Sequence, residues 1–263
     1  MAQNTEELMN NLSLCTLYSG SKGNCIHIRA GEDEILIDAG RSLRALASGL
    51  CAVGSDLSRI RAIFITHEHS DHISALEMLC KRYKIPVHMT SVSAARLLKS
   101  TVYIRQNLVE HAPLFSADAG ALHISSFRTP HDSEMSVGYT VHLPDGRKIG
   151  IATDIGRITD EIRENLLGSE TVVIESNHDR DMLESGPYPA WLKQRIRSAT
   201  GHLSNDECSA FLPELIEKGT RNILLAHLSA ENNTPETALA CARRSCPNSK
   251  ILAACESAPT KLL

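Results

Sequence analysis

Nothing in the 263 residues reads as a membrane span, because no apolar run approaches the ~20 residues that a bilayer-crossing helix needs. The segment Met1 to Leu12 has neither a basic start nor an apolar stretch, so no secretory signal is expected there. Positive charge is not in surplus. Lysine and arginine total 27 against 31 aspartate and glutamate, a formal charge of −4, so any grip on a polyanion has to be a local patch. The eight cysteines (Cys15, Cys25, Cys51, Cys80, Cys208, Cys241, Cys246 and Cys255) show no paired metal-binding spacing, and most lie within apolar strand or helix patterns. A chain of this length needs no disulfide framework to make a core. They read as reduced core residues of a cytosolic protein, so a cytoplasmic location is expected. Linkers, repeats and low-complexity segments are also missing. Residues 1–263 therefore read as a single domain, and 42% apolar residues are ample for its core.

What is present is concentrated in one stretch, Ile63-Phe64-Ile65-Thr66-His67-Glu68-His69-Ser70-Asp71-His72. Arg61 to Thr66 is short, apolar and β-branched, the pattern of a buried strand. His67 and His69 are two apart, so at a strand end they lean to one side. Asp71 and His72 open a helical pattern that runs through Ile73 to Leu79. Imidazole and carboxylate in such a cluster suit Zn²⁺, Mn²⁺ or Fe²⁺.

The first half of the chain reads as a β-meander followed by βαβα alternation. Strands are expected over Ser13 to Tyr18, Asn24 to Ala30 and Glu34 to Asp38, with the loop Ser19 to Gly23 joining the first two. A helix at Ser42 to Cys51, the cluster strand, a short strand at Pro86 to Met89 and a helix at Ser91 to Ser100 follow. The second half repeats the plan. Strands are expected over Leu108 to His111, Leu122 to Arg128, Ser136 to Leu143 and Lys148 to Thr153, the last two joined at Pro144-Asp145-Gly146-Arg147. A helix at Thr159 to Leu167 and a strand at Thr171 to Ile174 come next. Beyond them lie the Gly/Pro-rich Gly186 to Pro189 and a basic segment, Trp191 to Arg197. The remainder reads as helix Asn205 to Glu217, capped by Ser204 or Asn205, strand Asn222 to Ala226, helix Thr234 to Ser245 and strand Lys250 to Ala254. Two such halves suggest two sheets sandwiched between helices, an α+β class.

The cluster is incomplete as a metal centre. Two metal ions held by His67 with His69 and by Asp71 with His72 each need a further ligand, and a close pair of metals also wants a bridging carboxylate. Three later strands end in candidates: His131 after Leu122 to Arg128, Asp154 after Lys148 to Thr153, and His227 after Asn222 to Ala226. Ligands at strand ends converge in space even when far apart in sequence.

In order and local context, His67-x-His69-x-Asp71-His72, His131, Asp154 and His227 resemble the metallo-β-lactamase-fold hydrolases over nearly the whole chain. That resemblance implies an αββα sandwich, two mixed β-sheets between helical layers. It implies one metal on His67, His69 and His131, a second on Asp71, His72 and His227, and Asp154 bridging them together with a hydroxide. Finer motifs are similar to the YycJ/WalJ (VicX) branch, which is related to ribonuclease Z. They are Ser19-Gly20-Ser21-Lys22-Gly23-Asn24-Cys25, Leu36-Ile37-Asp38-Ala39-Gly40, Thr153-Asp154-Ile155-Gly156, Glu175-Ser176-Asn177-His178-Asp179, Gly201-His202-Leu203-Ser204-Asn205 and Ala226-His227-Leu228-Ser229. Members of that branch are regarded as DNA exonucleases, working 5′-to-3′ on duplex DNA. By the likeness to ribonuclease Z, His202 assists catalysis without binding metal and Glu175 steadies it, while Asp71 also steers or accepts the proton of the attacking water.

The expected activity is thus a dinuclear phosphodiesterase with two divalent ions (Zn, Mn or Fe) and a nucleic acid substrate, double-stranded DNA first. An RNA-processing or small-molecule phosphodiesterase with the same site is the alternative. Only 23 residues separate His178 from His202, too few for the inserted arm of ribonuclease Z, and a β-CASP cap has no room either. A flavodiiron oxidoreductase carries Glu where His69 stands. Ser21, Asn24, His178, Ser204 and Asn205 are candidate substrate contacts. Lys193, Arg195 and Arg197 form a basic run beside His202. Trp191, the sole tryptophan, is expected in the core. His27, His88, His111, His123 and His142 stand singly in strand patterns and read as structural.

Overall fold

The computed structural model describes residues 12–263. The expectation that Met1 to Leu12 holds no signal sequence falls, except for Leu12, outside them. The first sheet is built from β1 (Leu12–Tyr18), β2 (Cys25–Ala30), β3 (Asp33–Ile37), β4 (Ile60–Phe64), β5 (Val87–Thr90) and β6 (Leu108–His111), closed at its other edge by β14 (Thr260–Lys261). The second runs β13 (Lys250–Ala253), β12 (Asn222–Ala226), β11 (Thr171–Glu175), β10 (Lys148–Ala152), β9 (Val137–His142), β8 (Leu122–Arg128) and β7 (Ser116–Ala119) in spatial order. Each sheet is mixed: β1, β2 and β3 pair antiparallel and β3 to β6 parallel, while β7 to β10 pair antiparallel and β10 to β13 parallel.

Both faces of the central strands are covered, so they read as mainly apolar runs rather than alternating apolar and polar residues. Ile149, Ile151, Val173 and Leu224 face the other sheet and meet Leu14, Ile28, Ile35 and Phe64 there. Ala152, Val172, Ile174, Ile223 and Leu225 point the opposite way, against helices α5 (Asp160–Leu166), α8 (Asn205–Glu217) and α9 (Pro235–Ser245). On the far side, Leu36 and Ile63 pack under α1 (Leu43–Ala52), α3 (Leu76–Arg82) and α4 (Ser91–Leu97). The layers are αββα, as the two-halved pattern and the family resemblance imply. Burying each such Leu or Ile contributes about 1.5–3 kcal/mol, which is why the sandwich interior fixes which strand ends meet.

Several features depart from the sequence reading. The cluster helix is two pieces, α2 (Ser70–Ile73) and α3, rather than one. Strands β7 and β14 were not anticipated, nor were two short helices, α6 (Arg180–Ser185) and α7 (Ala190–Ile196), in the Gly/Pro-rich and basic stretch. Ser204, not Asn205, caps α8: its side chain accepts from Glu207 N, and Glu207 reaches back to the Ser204 backbone. All eight cysteines are free, but Cys51 and Cys255 are exposed and so are not core residues. Trp191 is 67% exposed rather than in the core. No helix among the described residues is long and apolar enough to cross a membrane.

Candidate metal centre

Five strands deliver the site at one end of the sandwich. β4 runs into Thr66 and His67, β8 into His131, β10 into Asp154, β11 ends on Glu175 and β12 leads directly into His227. The parallel register aligns Ala152 with Ile174 and Glu175 with Ala226, so the polar residues that follow come out side by side. Asp38, Asp154 and His227 all adopt positive φ (64°, 55° and 54°) directly after or near their strand ends. Such backbone is costly for residues with a Cβ, and it turns each side chain out of the strand direction into the shared pocket. Gly40 has a matching reason: a Cβ there would lie 1.9 Å from Asp71 O, so only glycine lets the segment after β3 approach the cluster this closely.

The structure gathers the ligand-type atoms into overlapping groups, each within 4.8 Å: His67 with His69 and His131; Asp71 with His72 and His227; His67 and His72 with Asp154; and Asp154 with Glu175, His202 and His227. Asp154 is common to the groups built from both ends. Hydrogen bonds behind the rings decide which nitrogen looks inward. His72 Nδ1 donates to Asp38 Oδ2 (2.7 Å), His131 Nδ1 to Gly201 O (3.2 Å) and His227 Nδ1 to Glu175 Oε1 (2.8 Å). His67 Nδ1 faces Thr66 Oγ1 (3.0 Å), whose own hydroxyl donates to Asp38. Each imidazole is thereby left with Nε2 as the inward-facing atom.

Three of the inward atoms, His67 Nε2, His227 Nε2 and Asp154 Oδ2, are buried and have no hydrogen-bond partner. An unsatisfied buried acceptor costs about 1–3 kcal/mol, and a cation removes that cost for all three at once. Burial, helped by neighbouring imidazoles, keeps His67 well below the usual histidine range, and burial lowers His131 too, so both retain lone pairs for a metal. At His72 burial acts in the same sense, but the carboxylates of Asp38 and Asp154 outweigh it and push the pKa well up. At His227 burial is likewise outweighed, by Asp154 first. Burial would raise Asp71, yet His227 and His72 hold its carboxyl far below the carboxylate range. Acidic groups thus make this pocket a place where positive charge is favoured. The donor set fits divalent metal ions with N and O preference.

Glu175 is buried and saturated. Its Oε1 accepts from His202 and His227 at 2.8 Å each, and its Oε2 from the backbone N–H of Ile155 (2.7 Å) and Leu203 (3.2 Å). Despite burial, His202 and His227 hold its pKa below the usual range. His202 is the partner left open: its side chain is 20% exposed and lines a cleft of about 240 Å³ with Ser21, Asp132, Asn177, Tyr188, Arg195 and Ser229.

The other expected contacts divide. Ser21 lines the cleft. Asn24 is buried at the cluster, its Nδ2 lying 3.2 Å from Asp71 Oδ2 and from His72 Nε2, and it supports those side chains. Ser204 and Asn205 are not brought to the cleft. Ser204 is buried and caps α8, and Asn205 is buried among Ser176 and Asn233. His178 is also buried, which lowers its pKa to about 4. The basic run splits. Arg195 reaches the cleft, where its Nε donates to Asp132, while Lys193 and Arg197 both bond to Glu184. Asp38 and Glu68 are the residues that sequence reasoning left without a role. Asp38 orients His72 and Thr66; the signal was an aspartate closing an apolar strand before Ala-Gly. Buried Glu68 accepts from Ser93 Oγ (2.7 Å) and Glu134 N (3.1 Å), tying the histidine motif to the loop after His131.

Residues 33–227 match the family model described as the beta-lactamase superfamily domain. The chain is 33% identical over 236 residues to exodeoxyribonuclease YycJ of Bacillus anthracis, covering 86% of each. It is 31% identical to exodeoxyribonuclease WalJ of Streptococcus pneumoniae, covering 84% of this chain and 83% of the relative. Among solved structures, the metallo-β-lactamase fold protein YhfI of Bacillus subtilis superposes with a TM-score of 0.75 at 16% identity, covering 95% and 98% of the two chains. A family of metal-dependent hydrolases and a pocket of histidine and aspartate side chains agree. The chain belongs to the metallo-β-lactamase-fold hydrolases, in the branch of YycJ and WalJ.

Proposed function

We propose that this enzyme is a dinuclear phosphodiesterase that removes nucleotides from duplex DNA in the 5′-to-3′ direction. His67, His69 and His131 would hold one divalent ion, Asp71, His72 and His227 the other, with Asp154 shared. The ions would lower the pKa of bound water toward neutrality and offset the charge of the phosphodiester. The observation that carries the reading is His202: a histidine fixed at Nδ1 by Glu175, open to the cleft, with its ring centroid 5.1 Å from that of His131 and 5.2 Å from that of His227. A histidine in that place, not needed as a ligand, suits proton transfer to the oxygen that departs from phosphorus. The Glu175 carboxylate keeps the proton on Nδ1, so Nε2 is the atom presented to substrate. Asp71, 22% exposed and held as a carboxylate, would steer the attacking water by accepting a hydrogen bond from it. The similarity to YycJ and WalJ, both exodeoxyribonucleases, favours DNA over RNA.

End-labelled duplex DNA, single-stranded DNA and RNA, incubated with metal-stripped protein and then with Mn²⁺ or Zn²⁺ restored, test the reading. Stepwise loss from 5′ ends of the duplex, abolished in His67→Ala, is expected. Absence of metal-dependent cleavage of every polynucleotide would overturn it, and preference for RNA would redirect it to the alternative substrate.

A further inference from the structure

Trp191 is the only tryptophan in the chain, and its indole stands 67% exposed on α7. A large ring left in water is a signal of binding when it adjoins a functional cleft. It does so here. Tyr188, Leu192, Arg195 and Ile196 line the cleft that holds His202. Trp191 is three residues after Tyr188 and four before Arg195. On a helix, positions four apart are neighbours, with Cβ atoms about 5–6 Å apart, so Trp191 sits next to Arg195 on the helix surface, beside the face that lines the cleft. Arg195 is half exposed and gives its Nε to Asp132 Oδ2 at 2.5 Å. Among the described residues no hydrogen bond takes its two terminal nitrogens, which leaves a guanidinium fork free for an anion. The other two cations of the segment do not line the cleft: Lys193 bonds to the Glu184 carbonyl and Arg197 to the Glu184 carboxylate. An exposed indole beside one available guanidinium, at the mouth of a phosphodiesterase cleft, matches the two halves of a nucleotide, a flat base and a phosphate.

We propose that Trp191 and Arg195 form a nucleotide-docking subsite on α7, with the indole stacking on a base near the DNA end and Arg195 binding a backbone phosphate beside it. The inference rests on the nuclease reading of the metal site. It assigns to α7 the task of seating the strand, which the net-acidic surface as a whole is poorly suited to do.

The sole tryptophan supplies its own reporter. In chelator, where no cleavage can occur, titration with a short blunt duplex should quench the intrinsic tryptophan fluorescence, because the signal comes from Trp191 alone. Trp191→Ala should bind that duplex roughly 5- to 150-fold more weakly, the range for losing one base stack. With metal restored, it should raise KM by a similar factor and leave kcat within about twofold. Trp191→Phe, which keeps an aromatic face, should recover most of the affinity. Thermal melting of Trp191→Ala should match the parent, since an exposed ring adds little to the fold. If the parent cleaves DNA but shows no quench, and Trp191→Ala leaves KM unchanged, the subsite is refuted while the nuclease reading stands. If the parent cleaves no polynucleotide, both fall together.

Discussion

Glu175 Oε1 lies 2.8 Å from His202 Nδ1, and the same oxygen lies 2.8 Å from His227 Nδ1. One buried carboxylate therefore orients a candidate metal ligand and a candidate proton donor together. Their roles can be separated by mutation. His202→Ala should retain the full metal content and lose about 10²–10⁴-fold in cleavage rate, the usual contribution of a positioned acid or base. Glu175→Gln should lose rate and also weaken metal binding, because His227 is released as well. Metal analysis of purified variants beside cleavage rates checks both. Loss of metal from His202→Ala would show that it is a ligand.

Asp38 holds His72 from behind at 2.7 Å and accepts two bonds from Thr66, at 2.8 Å from N and 2.9 Å from Oγ1. Removing such a partner typically costs 10- to 100-fold in metal affinity. Asp38→Asn should show a loss of that order in a competitive chelator titration, with one class of site affected more than the other. Equal affinity to the parent would mean that Asp38 serves only the fold.

Metal removal should destabilise the protein. Four buried or partly buried carboxylates, Asp38, Asp71, Asp154 and Glu175, crowd the pocket, and metal binding to the folded state adds about 2.7 kcal/mol when the free ion stands at 100 times Kd. The melting temperature should climb with added Mn²⁺ or Zn²⁺ and then fall with excess chelator. His67→Ala, which removes one of the partnerless nitrogens, should flatten that dependence. A parent protein whose melting ignores metal would count against the site.

His88 offers a pH test away from the candidate metal ligands. Burial, and secondarily the charge of His111 (Nδ1 to Nε2, 2.9 Å), lowers its pKa to about 4. The unfolded chain, with an ordinary histidine near 6.5, binds the proton first, so the stability tied to neutral His88 is complete above about pH 6.5. It is lost as pH falls from there toward 4. Allowing for the partial exposure of the ring, the loss should be about 1–2 kcal/mol. Urea denaturation at pH 7 and pH 4.5 should show a smaller difference in His88→Phe, whose ring can keep the stack on Phe64 (4.6 Å between centroids) without titrating. An unchanged difference would remove His88 from the account.

Most of the αββα layering was legible in the chain, because strands covered on both faces show as short apolar runs and their ends show as polar breaks. His67, His69, Asp71, His72, His131, Asp154 and His227 stood out for the same local reason, a strand pattern that stops on ligand-type side chains. The missed strands β7 and β14 are short, and β7 is half exposed, so neither carries a strong pattern. The break between α2 and α3 leaves no mark in composition.

Residue type, order along the chain and hydrophobic period are local, and they specified which side chains could bind metal. Orientation and solvent exposure are not local. The inward-facing Nε2 of His72, His131 and His227 depends on Asp38, Gly201 and Glu175, which lie 34, 70 and 52 residues from the rings they hold and meet them only in the folded chain. The same holds for Asn205, polar yet enclosed by Ser176 and Asn233, and for Trp191, apolar yet left in water beside the cleft. Their surroundings are set by segments tens of residues away, so only the folded arrangement separates a support residue from a contact residue.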